Sequence, residues 1–186
     1  MGVLRQFATI GTYPIVTYRL APFLIAAAVF LVDRLSKIAI KSKLSLYDTI
    51  QVIPGCFNII HTENPGVAFG LFADSANPLR GIILIGLSAG VLVLISAVLL
   101  RLPKPDTRAS WLLPIALAFV LGGAFGNLYD RTVHGTVTDF VEVYADTHYF
   151  PAFNVADSCI TIGAGLLILD MLRSREKRGQ AVKAPQ

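Results

Sequence analysis

Residues 79–100 read LRGIILIGLSAGVLVLISAVLL, with no charge after Arg80. About 20 apolar residues are enough for a helix to cross a bilayer core roughly 30 Å thick. Hydrocarbon offers backbone groups no partner, so such a run crosses as a helix that satisfies itself. Three more stretches fit, at about residues 20–40, 111–129 and 151–172. The chain is 54% hydrophobic and 15% charged, against about 25% charged in soluble domains. Its 186 residues are read as one integral membrane domain, 1–186.

Short basic loops stay in the cytoplasm. Residues 101–110 hold Arg101, Lys104 and Arg108 against Asp106, and the C-terminal tail is strongly basic. Two crossings separate them, so both lie on one side, with Arg5 and Arg19 of the N-terminus. The chain is predicted N-in, C-in; Lys41 and Lys43 run against this order and are read as snorkelling. The extracytoplasmic segments are then about 41–78 and 130–150. In the first, IQVIPGCFNIIH reads as a hairpin turning at Pro54–Gly55. In the second, TVTDFVEVY sets Val137, Asp139, Val141 and Val143 on one face of a short strand. The expected fold is an all-α membrane bundle of four transmembrane helices with a small extracytoplasmic β-rich cradle. The last ten residues read as a disordered tail.

The net charge of +4 is modest, and the basic residues flank apolar segments rather than forming a stripe, so no nucleic-acid partner is expected. Cys56 and Cys159 are read as packing residues, not a disulfide. No cysteine or histidine cluster points to a metal, and no removable signal peptide is read.

Charges within membrane segments usually face a bundle interior or a water-filled cavity. Asn154, Asp157 and Thr161 fall at helical spacing on one face, with Asp157 placed about 9 Å into a helix starting at Pro151. Asp33 and Lys37 are four apart and can pair, with Ser36 beside them, while Arg34 points elsewhere. Asn127, Asp130 and Arg131 lie within a turn, and Asp130 with Arg131 is read as an interfacial ion pair. Gly122 with Gly126, and Gly86 with Gly90, are read as close helix packing. Three helices thus put polar groups at one depth. A polar face that only fixes helix packing stays open for Asp157, as does a purely structural Asp33–Lys37 pair. The return from Asp139 to Pro151 is short enough to bring Asp139 above Asp157. Two close carboxylates cannot both ionise easily, so one serves as base and the other as acid. No G-x-S-x-G, G-x-G-D or H-E-x-x-H motif competes. The alternative is a small transporter or proton-coupled channel, which would need polar groups through the cytoplasmic half as well. A membrane scaffold would leave Asp139 beside Asp157 without a reason.

Five ordered blocks carry a family resemblance: DRLSK (33–37), ENPGVAFGLF (63–72), GGAFGNLYDR (122–131), VTDFVEV (137–143) and PAFNVADSCITIG (151–163). Together they resemble lipoprotein signal peptidase, also called signal peptidase II. Val67 stands where the family usually has a small residue, and the arm before Leu20 is longer than expected. The resemblance implies a bacterial inner-membrane aspartyl endopeptidase without cofactor. It implies prolipoprotein substrates whose cysteine carries diacylglycerol, cut just before that cysteine. It implies Asp139 and Asp157 as the catalytic pair. Asn64, Gly66, Asn127, Arg131 and Asn154 would line or support the site, and Asp33 and Lys37 would give structural or electrostatic support. Membrane lipids and globomycin-type inhibitors are the further implied partners, and a monomer is expected. The IPGC run at 53–56 faintly resembles a lipobox but is read as chance.

Overall fold

The computed structural model describes residues 15–66, 79–102 and 111–183. In chain order its elements are α1 (Ile15–Lys43), β1 (Thr49–Ile53), β2 (Phe57–Asn64), α2 (Leu79–Arg101), α3 (Leu112–His134), β3 (Val137–Ala145), β4 (His148–Tyr149) and α4 (Val155–Lys183). Val67, the N-terminal arm through residue 14 and most of the basic connection between α2 and α3 lie outside the described residues.

α3 is the hub, packing against α1, α2 and α4. Half of its apolar stretch is buried, against 11% in α2 and in α4. Leu87, Val93, Ile162 and Ile168 instead point outward, as expected where the surroundings are lipid tails rather than water. Three helical segments are long and apolar enough to span a membrane: Gly81–Arg101, Leu112–His134 and Val155–Ser174. α1 is not among them, because Asp33, Arg34, Lys37, Lys41 and Lys43 interrupt it. Its arrangement is nevertheless inside out. Asp33 and Lys37 are 0% and 1% exposed, while Leu24, Leu31 and Leu35 are more than half exposed.

Glycines on α3 let its neighbours approach. A Cβ at Gly122 would sit 2.5 Å from the Ala26 carbonyl oxygen of α1, and one at Gly123 would strike the Ala156 carbonyl oxygen of α4. The expected close packing at Gly122 and Gly126 is present. At Gly86 and Gly90 a Cβ would meet nothing within 4 Å among the described residues, so the expected packing is not seen there.

The segments after α1 and α3 form one antiparallel sheet in the order β1-β2-β3-β4. Gly55, at φ +79°, turns the predicted hairpin. Cys56 is exposed at that turn, so it is not a packing residue; both cysteines are free thiols. Lys41 does not simply snorkel, because its ammonium pairs with Glu63 of β2 at 3.0 Å.

Helix ends differ from the sequence expectation. α3 continues to His134 and stops at Gly135, whose left-handed backbone donates its N–H to the Arg131 carbonyl at 3.2 Å. Asp130 and Arg131 are therefore helical. α4 starts at Val155, not Pro151, because Phe153 is held in a strand-like bridge to Val141. α4 also runs to Lys183, so most of the expected disordered tail is helix.

Candidate active site

The short run from Phe153 to Asp157 brings the two aspartates together. Phe153 accepts hydrogen bonds from the backbone N–H groups of Phe140 and Val141, at 3.1 and 2.8 Å, and donates one back to Val141 at 3.0 Å. This seam clamps β3 against the entrance to α4. Asn154 then caps the helix. Its side-chain oxygen accepts the Asp157 N–H at 3.0 Å, and Asp157 Oδ2 accepts the Asn154 N–H at 3.2 Å. This is a reciprocal capping box with an amide and a carboxylate in its two positions. Asp157 is the third helical residue, only about 4.5 Å along the axis, shallower than the 9 Å expected from a start at Pro151. Thr161 does not join the polar face: it is exposed and its hydroxyl donates to the Asp157 carbonyl.

The same amide holds the other aspartate. Asn154 Nδ2 donates to Asp139 Oδ1 at 2.7 Å, and Asn64 Nδ2 donates to Asp139 Oδ2 at 3.0 Å. Asn64 pairs with Val137 across β2 and β3, so Asp139 is its diagonal neighbour. Asp139 is 2% exposed. Burial foremost, with the nearby Asp157 charge adding, pushes its carboxyl up to about 6; hydrogen bonds from Asn64 and Asn154 and the charge of Lys37 pull the other way.

α3 supplies the next layer. Asn127 Nδ2 donates to Asp157 Oδ1 at 2.7 Å, while Asn127 Oδ1 accepts from Lys37 at 3.2 Å and from Asn154 at 3.3 Å. Lys37 pairs with Asp33 at 2.8 Å, as expected, and also with Asp130 at 2.8 Å. The expected Asp130–Arg131 pair is not formed. Asp130, 1% exposed, pairs with Arg34 at 2.5 Å, and Arg34 stacks over the Tyr129 ring at 4.4 Å. Arg34 therefore turns inward rather than away. Asp33 also caps a foreign helix, its Oδ1 accepting the Ala156 N–H of α4 at 3.0 Å. Ser36 only bonds the Asp33 carbonyl.

Arg131 lies within charge range of Asp157, Asp139 and Asp130. One guanidinium nitrogen donates to the Asn127 carbonyl at 3.3 Å, and its buried Nε has no hydrogen-bond partner among the described residues. Gly66, at φ +98°, donates its N–H to Asn64 Oδ1 at 2.9 Å, and a Cβ there would run into the Leu84 side chain. Glycine is demanded by both backbone and space.

All nine sequence-chosen residues thus share one network at one end of the bundle. Sequence reasoning missed the bracing role of Arg34 and the place of Glu63. Glu63 accepts from Thr136 at 2.6 Å and Thr138 at 3.1 Å, fixing β2 on β3 beside Asn64. Its position inside ENPG was the available signal. Among the described residues, every buried polar or charged side chain lies at this end, and no polar path for a transporter crosses the other half.

A family model described as Signal peptidase (SPase) II matches residues 25–173. The lipoprotein signal peptidase of Pseudomonas aeruginosa (strain UCBPP-PA14) is 48% identical over 162 residues, 84% of this chain and 90% of that protein. That of Solibacter usitatus is 40% identical over 153 residues, 82% of this chain and 91% of that protein. A bacterial membrane enzyme structure solved by the in meso method at 2.3 Å resolution superposes with a TM-score of 0.71 at 27% identity, covering 89% of this chain and 93% of that one. With described residues from each of its five motif blocks drawn into one site and matches that span most of its length, this chain belongs to the signal peptidase II family.

Proposed function

We propose that this chain is an aspartyl endopeptidase that removes signal peptides from diacylglyceryl-modified prolipoproteins, cutting just before the lipidated cysteine. Asp139 and Asp157 are its catalytic pair. The observation that carries this reading is that one residue, Asn154, holds both carboxylates, Asp139 through its side-chain NH2 and Asp157 through its backbone N–H. Asp139, buried and raised to about 6, is the member that takes a proton and acts as acid. Asp157, at a helix N-terminus and receiving N–H donors from Asn127 and Asn154, is the base.

Asp157 removes a proton from water, and the water oxygen attacks the scissile carbonyl carbon. Asp139 gives its proton to the carbonyl oxygen, forming a tetrahedral diol. Asp157 then gives its proton to the amine nitrogen, the C–N bond breaks, and Asp139 takes a proton from one diol hydroxyl as the new carboxylic acid forms, which restores both carboxyls. Arg131, Asn64 and Gly66 line the approach, and Asn127 supports the base.

All four helices cross the bacterial cytoplasmic membrane, N-in and C-in, with α1 spanning because its charges are paired inside the bundle. The sheet then lies at the extracytoplasmic face, where a peptide anchored by its acyl chains passes. The enzyme works as a monomer among membrane lipids, and globomycin-type inhibitors occupy the same channel. Asp139→Asn and Asp157→Asn, assayed on diacylated prolipoprotein, are each expected to lose about 10³-fold or more in turnover. Cleavage retained by either would overturn the dyad.

A further inference from the structure

We infer that Lys37 is a positioning residue that sets the amide orientation of Asn127 and so keeps a hydrogen-bond donor on Asp157. The inference rests on the proposed dyad. An ammonium has three donors and no acceptor. Here two donate hydrogen bonds, to Asp33 at 2.8 Å and to Asn127 Oδ1 at 3.2 Å, and the ammonium also ion-pairs with Asp130 at 2.8 Å, in a pocket that leaves Lys37 1% exposed. An amide facing an ammonium must present its oxygen. Asn154 Nδ2, also a donor, faces the same oxygen at 3.3 Å. Asn127 is left one way to point, with its NH2 on Asp157 Oδ1 at 2.7 Å.

Take the ammonium away and that constraint weakens. The flipped amide would set its oxygen against the Asp157 carboxylate, two acceptors face to face. Asp33 and Asp130 would also keep a negative charge that Lys37 now balances, with Arg34 and, when protonated, His134 as the cations left on Asp130. Among the described residues, the charged groups facing the dyad are Lys37 from α1 and Arg131 from α3, with Asp33 and Asp130 behind Lys37. Glu63 from β2 lies just beyond, tied to Thr138 beside Asp139. Lys37 thus does two jobs that a packing residue would not: it orients a donor, and it places positive charge near Asp139.

The test is a double-mutant cycle between position 37 and Asn127, read as single-turnover cleavage of a diacylated prolipoprotein across pH. Lys37→Met alone leaves buried carboxylates underpaired and can fail to fold. The cycle is therefore also run with Asp33→Asn/Lys37→Met, which removes the pair together. Asn127→Ala is expected to cost about 100-fold in the cleavage step. Removing Lys37 is expected to cost a similar factor with KM unchanged. Adding it to Asn127→Ala is expected to cost little more. The alkaline limb of the pH–rate profile should also move to higher pH without Lys37, because its charge no longer favours ionised Asp139.

Losses that multiply, wild-type turnover in the charge-neutral double variant, or an effect confined to KM would each overturn the inference. Asp139→Asn and Asp157→Asn are assayed beside them. If those cleave, the dyad fails whatever the cycle gives; if they are inactive and the cycle multiplies, only the role of Lys37 fails.

Discussion

Asp139 is buried at 2% exposure and accepts two amide donors, yet its carboxyl is held up at about 6. In the free enzyme kcat/KM should fall as pH rises through about 6, where Asp139, the proposed acid, loses its proton. A flat profile from pH 5 to 8 would contradict this. The sign for stability follows. A carboxyl raised by folding stabilises the fold below its unfolded value near 3.8 and loses that contribution as pH rises to about 6. Asp139→Asn should therefore unfold at a higher temperature than wild type above pH 6 in detergent, while being inactive. Gly66 belongs to the same scale. Gly66→Ala puts a Cβ against Leu84 at φ +98° and should displace Asn64, lowering turnover more than thermal stability. The identity of these residues was legible in the sequence, since their types and spacing sit where polarity is costly. Their partners were not. Asp130 has Arg131 beside it in sequence yet pairs with Arg34 and Lys37, because helical neighbours point to different sides and only packing decides which side meets a cation.

At the scale of elements, the start of α4 is the instructive case. Pro151 suggested a helix boundary, but the backbone of Phe153 is already spent on β3, and the helix waits for Asn154. Asn154→Ala removes an N-cap, which typically costs about 1 kcal/mol, and also releases Asp139. It should lower the melting temperature and abolish most turnover; a variant as active as wild type would contradict the side chain's shared hold on both aspartates. Glu63 ties β2 to β3 and to α1. Burial alone would raise its carboxyl, but the hydrogen bonds of Thr136 and Lys41, the Lys41 charge and Thr138 together bring it down to about 2. Its stabilising contribution is complete above its ordinary value of 4.5 and is lost as pH falls toward 2. Wild type should thus lose more melting temperature between pH 5 and 3 than Glu63→Gln does. The hairpin and the β3 strand were readable from alternation and a Pro-Gly turn. The irregular register between Ile59 and Thr62, which sets Asn64 diagonal to Asp139, has no sequence signature.

At the scale of the molecule, α1, α3, α4 and the sheet enclose one charged cluster, and the helices turn apolar side chains outward, the reverse of a soluble fold. The proposed orientation puts the β1–β2 turn outside the cell membrane. Cys56 is exposed there, so a membrane-impermeant maleimide should label it in intact spheroplasts. Labelling only after lysis would reverse the topology. Read from its sequence alone, the chain is a membrane protein built on long apolar helices, because hydrocarbon leaves an apolar stretch of that length one way to satisfy its backbone. The sequence also supplied the two aspartates and the residues around them. Which groups touch comes from packing alone: Asn154 holds both carboxylates, Asp33 caps a helix more than a hundred residues away in the chain, and Lys37 faces Asn127. Hydrogen bonds and ion pairs act over about 3 Å, and which atoms come that close is set by how α1, α3 and α4 pack, not by their order in the chain.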